Sequence, residues 1–261
     1  MRFLPSGLLD RWFAPPPHQS RTAWLGRHEY AHRGLHSPGV PENSISAFAA
    51  AIARGMGMEC DVQKSADGEA MVFHDWELDR LTDDQGEVVA RSSGELARIT
   101  LKGSNDRIPT LRDLLGLIRG RQPLLIEIKS KRTIQPDPLC LAVMRALEGY
   151  HGPHAVMSFD PRVVHWFRTH SPNTLRGLVV TEENARSLPW RLYRHWCIWH
   201  GRPDFLAYDV RDFPSNFAAS QRARGLPVLT WTVRSPELRR IAAEFADAPI
   251  AEGAGVATLR T

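Results

Sequence analysis

The chain has 261 residues, 43% hydrophobic and 24% charged, with 33 Lys and Arg against 29 Asp and Glu and a formal net charge of +4. This is ample for a large buried core. The mild, diffuse positive charge suits an anionic substrate or a membrane surface and argues against nucleic acid as a partner. Cys60, Cys140 and Cys197 are too few and too widely spaced for a disulfide framework or a zinc site, so a reducing compartment is expected. Asp10 and Arg11 end the first apolar run too early for a signal peptide. No run is long enough to span a membrane. A soluble cytoplasmic protein is the expectation.

Residues 1–25 read as an extension ahead of one domain over 26–261. Pro15, Pro16 and Pro17 break any helix begun before them. Phe3, Leu4, Leu8, Trp12 and Phe13 can form a small amphipathic patch, expected to pack over one end of the domain, with a membrane foot as the alternative. A first strand is expected over 29–33, followed by a Gly- and Pro-rich loop over 34–42. Asn43 or Ser44 can cap a helix in which Ile45, Phe48, Ala49 and Ile52 recur at helical spacing before Gly55 stops it. Strands follow over 58–63 and 70–74, joined by a tight turn at Asp67-Gly68. Residues 76–107 are polar and irregular, long for a connection, with one helical turn near 93–99. They read as a functional insertion or lid.

Beyond it the pattern is regular. Helices are expected over 109–118, 138–147, 162–169, 183–199, 217–224 and 236–246. Strands are expected over 124–129, 155–159, 175–180, 205–210, 227–233 and 250–252. Short apolar strands alternating with helices imply parallel βα units, and about eight of them in ~250 residues is the count of a (β/α)8 TIM barrel. A doubly wound sheet lacks the Gly-x-Gly-x-x-Gly signature after the first strand.

Side chains alternate faces along a strand, so Glu59 and Asp61 point the same way. Two carboxylates on one face repel unless a cation lies between them, a first hint of a hard-metal site. Glu127 and Lys129 repeat the spacing. His32, Arg33 and His74 also fall at strand ends, where barrels of this kind keep their chemistry.

The ordered set His-Arg-Gly at 32–34, Pro-Glu-Asn at 41–43, Glu-x-Asp at 59–61, Asp-Gly at 67–68, His-Asp at 74–75, Ile-Pro-Thr-Leu at 108–111, Glu-Ile-Lys at 127–129 and Trp-Thr-Val at 231–233 resembles the glycerophosphodiester phosphodiesterase family. The resemblance implies a TIM barrel and metal-dependent hydrolysis of glycerophosphodiesters to glycerol 3-phosphate and an alcohol. By motif match it implies that Glu59, Asp61 and Glu127 hold one Mg²⁺ or Ca²⁺, with Glu42 as a further ligand or a support. His32 and His74 would be the acid–base pair, Arg33 and Lys129 would face the phosphate, and Trp231 would be a wall of the site or core. Two departures, Arg234 after Trp-Thr-Val and Ile250-Ala251-Glu252-Gly253 in place of a terminal Thr-Asp pair, bear on substrate identity rather than chemistry. Competing readings are a lysophospholipase D or phospholipase C-like enzyme acting on lipids, and a non-catalytic barrel that only binds phosphodiesters. Leu188, Leu192, Trp196 and Trp199 recur at helical spacing and read as a core-facing stripe, with a membrane-surface rim as the sharper alternative.

Overall fold

A computed structural model describes residues 6–183 and 187–257. The chain divides into two units, residues 30–154 and residues 1–29 together with 155–261. The N-terminal segment forms α1 (Ser6–Phe13) and α2 (Gln19–Thr22).

The 30–154 unit contains β1 (Tyr30–Ala31), α3 (Ile45–Ala53), β2 (Gly57–Lys64), β3 (Ala70–Val72), α4 (Ser93–Leu96), α5 (Leu111–Ile118), β4 (Leu124–Ile128) and α6 (Asp137–Ala146). Side chains start its helices. Ser44, not Asn43, caps α3 by accepting from the Ala47 N–H, and Thr110 with Asp113 forms a capping box on α5. β2 pairs in parallel with β1 and β4, and Asp61 lies opposite Glu127 in the register. β3 runs antiparallel to β2, with Val62 opposite Val72, so the strand expected over 70–74 is a hairpin arm. The insertion over 76–107 has its own small core of Leu78, Val88, Leu96, Ile99 and Leu101, packed with Met71 and Phe73. That core holds the irregular backbone in one shape.

The other unit continues with β5 (His154–Ser158), α7 (Pro161–His170), β6 (Leu175–Val180), α8 (Leu188–Gly201), β7 (Phe205–Asp209), α9 (Asn216–Ala223), β8 (Val228–Val233), α10 (Pro236–Phe245) and β9 (Ala248–Ala251). Its strands pair in parallel in sequence order. Pro sits in the first turn of α7, α8 and α10, where its missing N–H has no helical partner to lose. Val164, Ile198, Leu206, Tyr208 and Val228 belong to its core. The helix expected from 183 begins at Leu188, and residues 184–186 lie outside the described residues. Counting β3 apart, eight parallel strands alternate with helices along the chain, the succession of a (β/α)8 barrel. No helix among the described residues is long and apolar enough to cross a membrane.

The N-terminal extension packs: α1 lies against α8 and α9, while α2 meets the segments leading into β6 and β7, where Arg21 donates to the Pro172 carbonyl at 3.1 Å and pairs with Asp204 Oδ1 at 3.6 Å. Asp10 of α1 is fully buried. It accepts hydrogen bonds from His195 Nδ1 at 2.8 Å and Trp199 Nε1 at 2.8 Å, both on α8, and from Gln221 Nε2 at 2.6 Å on α9. Burial would raise its pKa, but these donors, led by His195, outweigh burial and hold it below the usual carboxylate value. The Phe13 ring lies 5.2 Å from Trp199. Phe3 and Leu4 lie outside the described residues, as does the side chain of Leu8. Asp10→Ala leaves three donors, one buried and two part-buried, without their acceptor, so it should destabilise the protein by about 3 kcal/mol, read from urea unfolding. A loss below ~1 kcal/mol would mean that α1 is only loosely seated.

Candidate active site

β1 delivers His32 and Arg33 into a tight turn. Arg33 and Asn43 both adopt left-handed backbone, with φ of 55° and 58°, a conformation that costs non-glycine residues roughly 1–3 kcal/mol each. Gly34 follows at φ 77°, where an added Cβ would sit 2.9 Å from the Ala47 backbone. The Asn43 N–H donates to the Arg33 carbonyl at 2.8 Å, closing the loop between them. The backbone N–H of Arg33 thereby reaches Glu59 Oε2 at 3.0 Å, while its guanidinium pairs with Asp61 Oδ2 at 3.1 Å and Glu42 Oε1 at 2.7 Å.

Glu59, Asp61 and Glu127 form one cluster, each offering a carboxylate oxygen within 4.8 Å of the others. Strand alternation brings Glu59 and Asp61 to one face, and the β2–β4 register sets Glu127 beside Asp61. Lys129 Nζ bridges Asp61 Oδ1 at 2.7 Å and Glu127 Oε1 at 2.5 Å. Asn43 Nδ2 donates to Asp61 Oδ2 at 2.9 Å. Burial alone would raise the Asp61 pKa, but Lys129 and Arg33 outweigh it and hold the carboxyl far below its usual value. Burial alone would likewise lower Lys129, and Glu127 and Asp61 instead hold it raised.

Glu59 carries what the cations leave uncompensated. Burial, then the charges of Asp61 and Glu127, push its pKa well up against the opposing pull of Arg33. Its Oε1 is buried and meets no hydrogen-bond donor among the described residues. Three clustered carboxylates, two of them buried, against two shared cations, with one oxygen unclaimed, fit a divalent cation. The oxygen-only donor set suits a hard ion rather than zinc. Cys60 lies on the opposite face of β2, fully buried, with its thiol pKa pushed up by burial and then by the same carboxylates.

Glu42 does not join the trio. Both of its oxygens are taken by guanidinium groups: Oε1 by Arg33 and Arg80, each at 2.7 Å, and Oε2 by Arg80 at 3.1 Å. Burial would raise its pKa, but Arg80 and Arg33 outweigh this and hold it lowered. Arg80 Nε also pairs with Asp75 Oδ2 at 2.5 Å, and Asp75 Oδ1 lies 2.7 Å from His74 Nδ1. An ionised carboxylate can only accept, so the shared proton sits on Nδ1 and Nε2 of the neutral ring is an acceptor. Burial, helped by Lys129 and Arg33, lowers the His74 pKa, with Asp61 and Asp75 opposing. Gln63 Nε2 donates to the carbonyls of His74, at 3.0 Å, and of Asp75, tying down the backbone beneath the imidazole.

His32 is buried directly after β1. Trp231 stands half-buried on β8, its Nε1 donating to the Ala207 carbonyl at 2.9 Å and its ring edge-on to Phe159 at 5.3 Å. A cis peptide joins it to Thr232. The two departures from the family pattern meet each other, with Arg234 Nε 2.5 Å from Glu252 Oε1.

Sequence reasoning missed Asn43, Gln63, Asp75 and Arg80 as parts of this network. Gln63 extends the Glu59–Asp61 alternation by one step and was detectable on that ground. Asp75 adjoins His74, and Asn43 stood in the Pro-Glu-Asn motif, where it read only as a helix cap. Arg80 sits in irregular backbone with no periodicity to mark it.

The trio also sets a pH dependence. With cations removed by EDTA, Glu59 has a raised folded-state pKa. At low pH it is protonated folded and unfolded alike, and the stability conferred by keeping its proton is fully present. As pH rises through its unfolded and then its folded value, that stability is lost. Glu59→Gln should remove this loss and stabilise the cation-free protein at pH 8 by on the order of 1 kcal/mol, read by urea unfolding at pH 4, 6 and 8. An equal or lower stability at pH 8 would show that Glu59 is already compensated.

A sequence profile of the glycerophosphoryl diester phosphodiesterase family matches residues 32–260. The chain is 29% identical over 228 residues to a glycerophosphodiester phosphodiesterase of Caldanaerobacter subterraneus, covering 81% of this chain and 88% of that protein. It is 25% identical over 241 residues to glycerophosphodiester phosphodiesterase 1 of Bos taurus, covering 78% and 71%. Among solved structures, a phosphodiesterase of Oleispira antarctica, in complex with the product sn-glycerol-3-phosphate, superposes with a TM-score of 0.75 at 24% identity, covering 86% of this chain and 92% of that one. The Thermotoga maritima glycerophosphodiester phosphodiesterase gives 0.69 at 26% identity, covering 85% and 92%. With its motifs in order, its carboxylates gathered and its strands and helices in the matching succession, the chain belongs to the glycerophosphoryl diester phosphodiesterase family and has its (β/α)8 fold.

Proposed function

We propose that this enzyme hydrolyses glycerophosphodiesters to glycerol 3-phosphate and an alcohol, using one Mg²⁺ or Ca²⁺ held by Glu59, Asp61 and Glu127. The observation that carries the reading is the clustered trio of carboxylates, two of them buried, with an unclaimed Glu59 oxygen, beside two cationic side chains and a carboxylate-held imidazole. Family membership supports a divalent cation, and the product bound to the Oleispira protein supports the substrate class. When bound, the ion supplies neutralisation of phosphoryl charge. Arg33 and Lys129 add positive charge where it develops on transfer. Glu42 serves here as the clamp on Arg33 rather than as a ligand. His74, neutral and oriented by Asp75, takes the proton of the attacking oxygen at Nε2, and His32 gives a proton to the leaving alcohol. We place the enzyme in the cytoplasm, a reading supported by three buried cysteines that are too few and too widely spaced in sequence for a disulfide framework.

Hydrolysis of glycerophosphocholine should be abolished by EDTA and restored by Mg²⁺ or Ca²⁺. His32→Ala and Glu127→Ala should each lower turnover by about 10²–10⁴-fold. Wild-type turnover in either variant would remove that residue from the mechanism.

A second reading, acting on lipid phosphodiesters, has one observation in its favour. A cavity of about 130 Å³ shares Gln63 and Lys129 with the site and is otherwise walled largely by apolar groups. Trp76 and Val89 come from the insertion, and Ile134, Pro136 and Leu139 from the segment after β4. Such walls suit the first methylenes of an acyl chain on the glycerol. Under this reading lysophosphatidylcholine yields lysophosphatidic acid and choline. Ile134→Glu should lower its kcat/KM by about tenfold or more while sparing glycerophosphocholine, which has no chain. Equal effects on both substrates, or no cleavage of the lipid, would leave the short diesters as the substrates.

A further inference from the structure

Eleven large hydrophobic side chains stand exposed among the described residues, and seven of them belong to α1 and α8. α1 contributes Leu9, Trp12 and Phe13, with Trp12 82% exposed. α8 contributes Trp190 and the row Leu188, Leu192 and Trp196, the two leucines 66% and 60% exposed. Spaced four apart, the last three lie along one side of the helix. The stripe that read as core-facing is therefore largely an outward face; it is Cys197, Ile198 and Gly201 that α8 buries. The two helices pack side by side, locked by the Asp10 contacts to His195 and Trp199. The patch is thus a built surface and not a loose tail. Exposed apolar side chains gathered on two packed helices mark an interaction site.

Its chemistry selects the occupant. The only carboxylate on either helix is Asp10, which is buried, while Arg11 and Arg191 are exposed. Three tryptophans, two leucines in a row and exposed arginines are the composition of a surface that sits at the boundary of headgroups and acyl chains. There indoles rest at the polar interface and guanidinium groups reach the phosphates. A two-fold dimer through the same face would gather the arginines of both copies with no exposed carboxylate on these helices to pair them. We propose that the α1–α8 face docks this protein on the surface of an anionic lipid bilayer. The proposal uses none of the candidate catalytic residues and stands independently of the assigned reaction.

Co-sedimentation of the full chain with vesicles of 3:1 phosphatidylcholine and phosphatidylglycerol should show binding at low salt. Binding should weaken on vesicles of phosphatidylcholine alone and on raising salt to physiological strength. Arg11→Glu and Arg191→Glu should each weaken it by roughly fivefold or more, and the triple variant Trp12→Ser, Leu192→Ser, Trp196→Ser should abolish it. Lipids brominated on the acyl chain should quench the tryptophan fluorescence of the unmodified protein, a readout that needs no variant to fold. Protein that stays in the supernatant with anionic vesicles at low salt overturns the proposal. So does a concentration-dependent dimer in sedimentation equilibrium that the triple variant dissociates, because a second copy would then cover the face.

Discussion

Three carboxylates held within 4.8 Å of one another, two of them almost wholly buried, are an arrangement a stable fold would ordinarily avoid. Here the surroundings are shaped to tolerate it. Lys129 spans Asp61 and Glu127, Arg33 spans Asp61 and Glu42, and Asn43 supplies a neutral donor to Asp61. The compensation stops short of Glu59, whose raised pKa and unclaimed oxygen mark where a further positive charge belongs. Stability is given up locally so that binding can recover it, as is usual where a site is kept ready for a ligand.

The same charges organise their neighbours. Left-handed backbone at Arg33 and Asn43 is unfavourable in itself, yet it turns the Arg33 N–H to Glu59 and the Asn43 amide to Asp61. A chain of pairs then runs from Arg33 through Glu42, Arg80 and Asp75 to His74. A residue from the insertion therefore links Arg33 to the imidazole. The insertion's own hydrophobic core explains how a stretch without regular structure can hold Arg80 in place. Through Arg80 it contributes to the site network, where its composition alone read as a functional insertion or a lid.

In the other unit, charge again decides placement. Asp10 seats the N-terminal helix through buried hydrogen bonds, and without it α1 would have only its apolar side chains to hold it. Arg234 and Glu252, each a departure from the family pattern, form an ion pair.

Much of this was legible from the chain alone. Alternating apolar strands and helical stripes placed nearly every element, because burial of one face imposes a period of 2 or 3.6 whatever the neighbours are. The same alternation put Glu59 with Asp61 and Glu127 with Lys129. Only the folded chain decided that Asp61 lies opposite Glu127, since strand register depends on pairing between distant segments. Only the folded chain showed Glu42 captured by Arg33 and Arg80 outside the trio, and Asp75 and Gln63 bracing His74. The stripe on α8 marks the limit most clearly. Periodicity identifies which side of a helix is apolar, but whether that side meets the core or the solvent depends on what the rest of the chain brings against it.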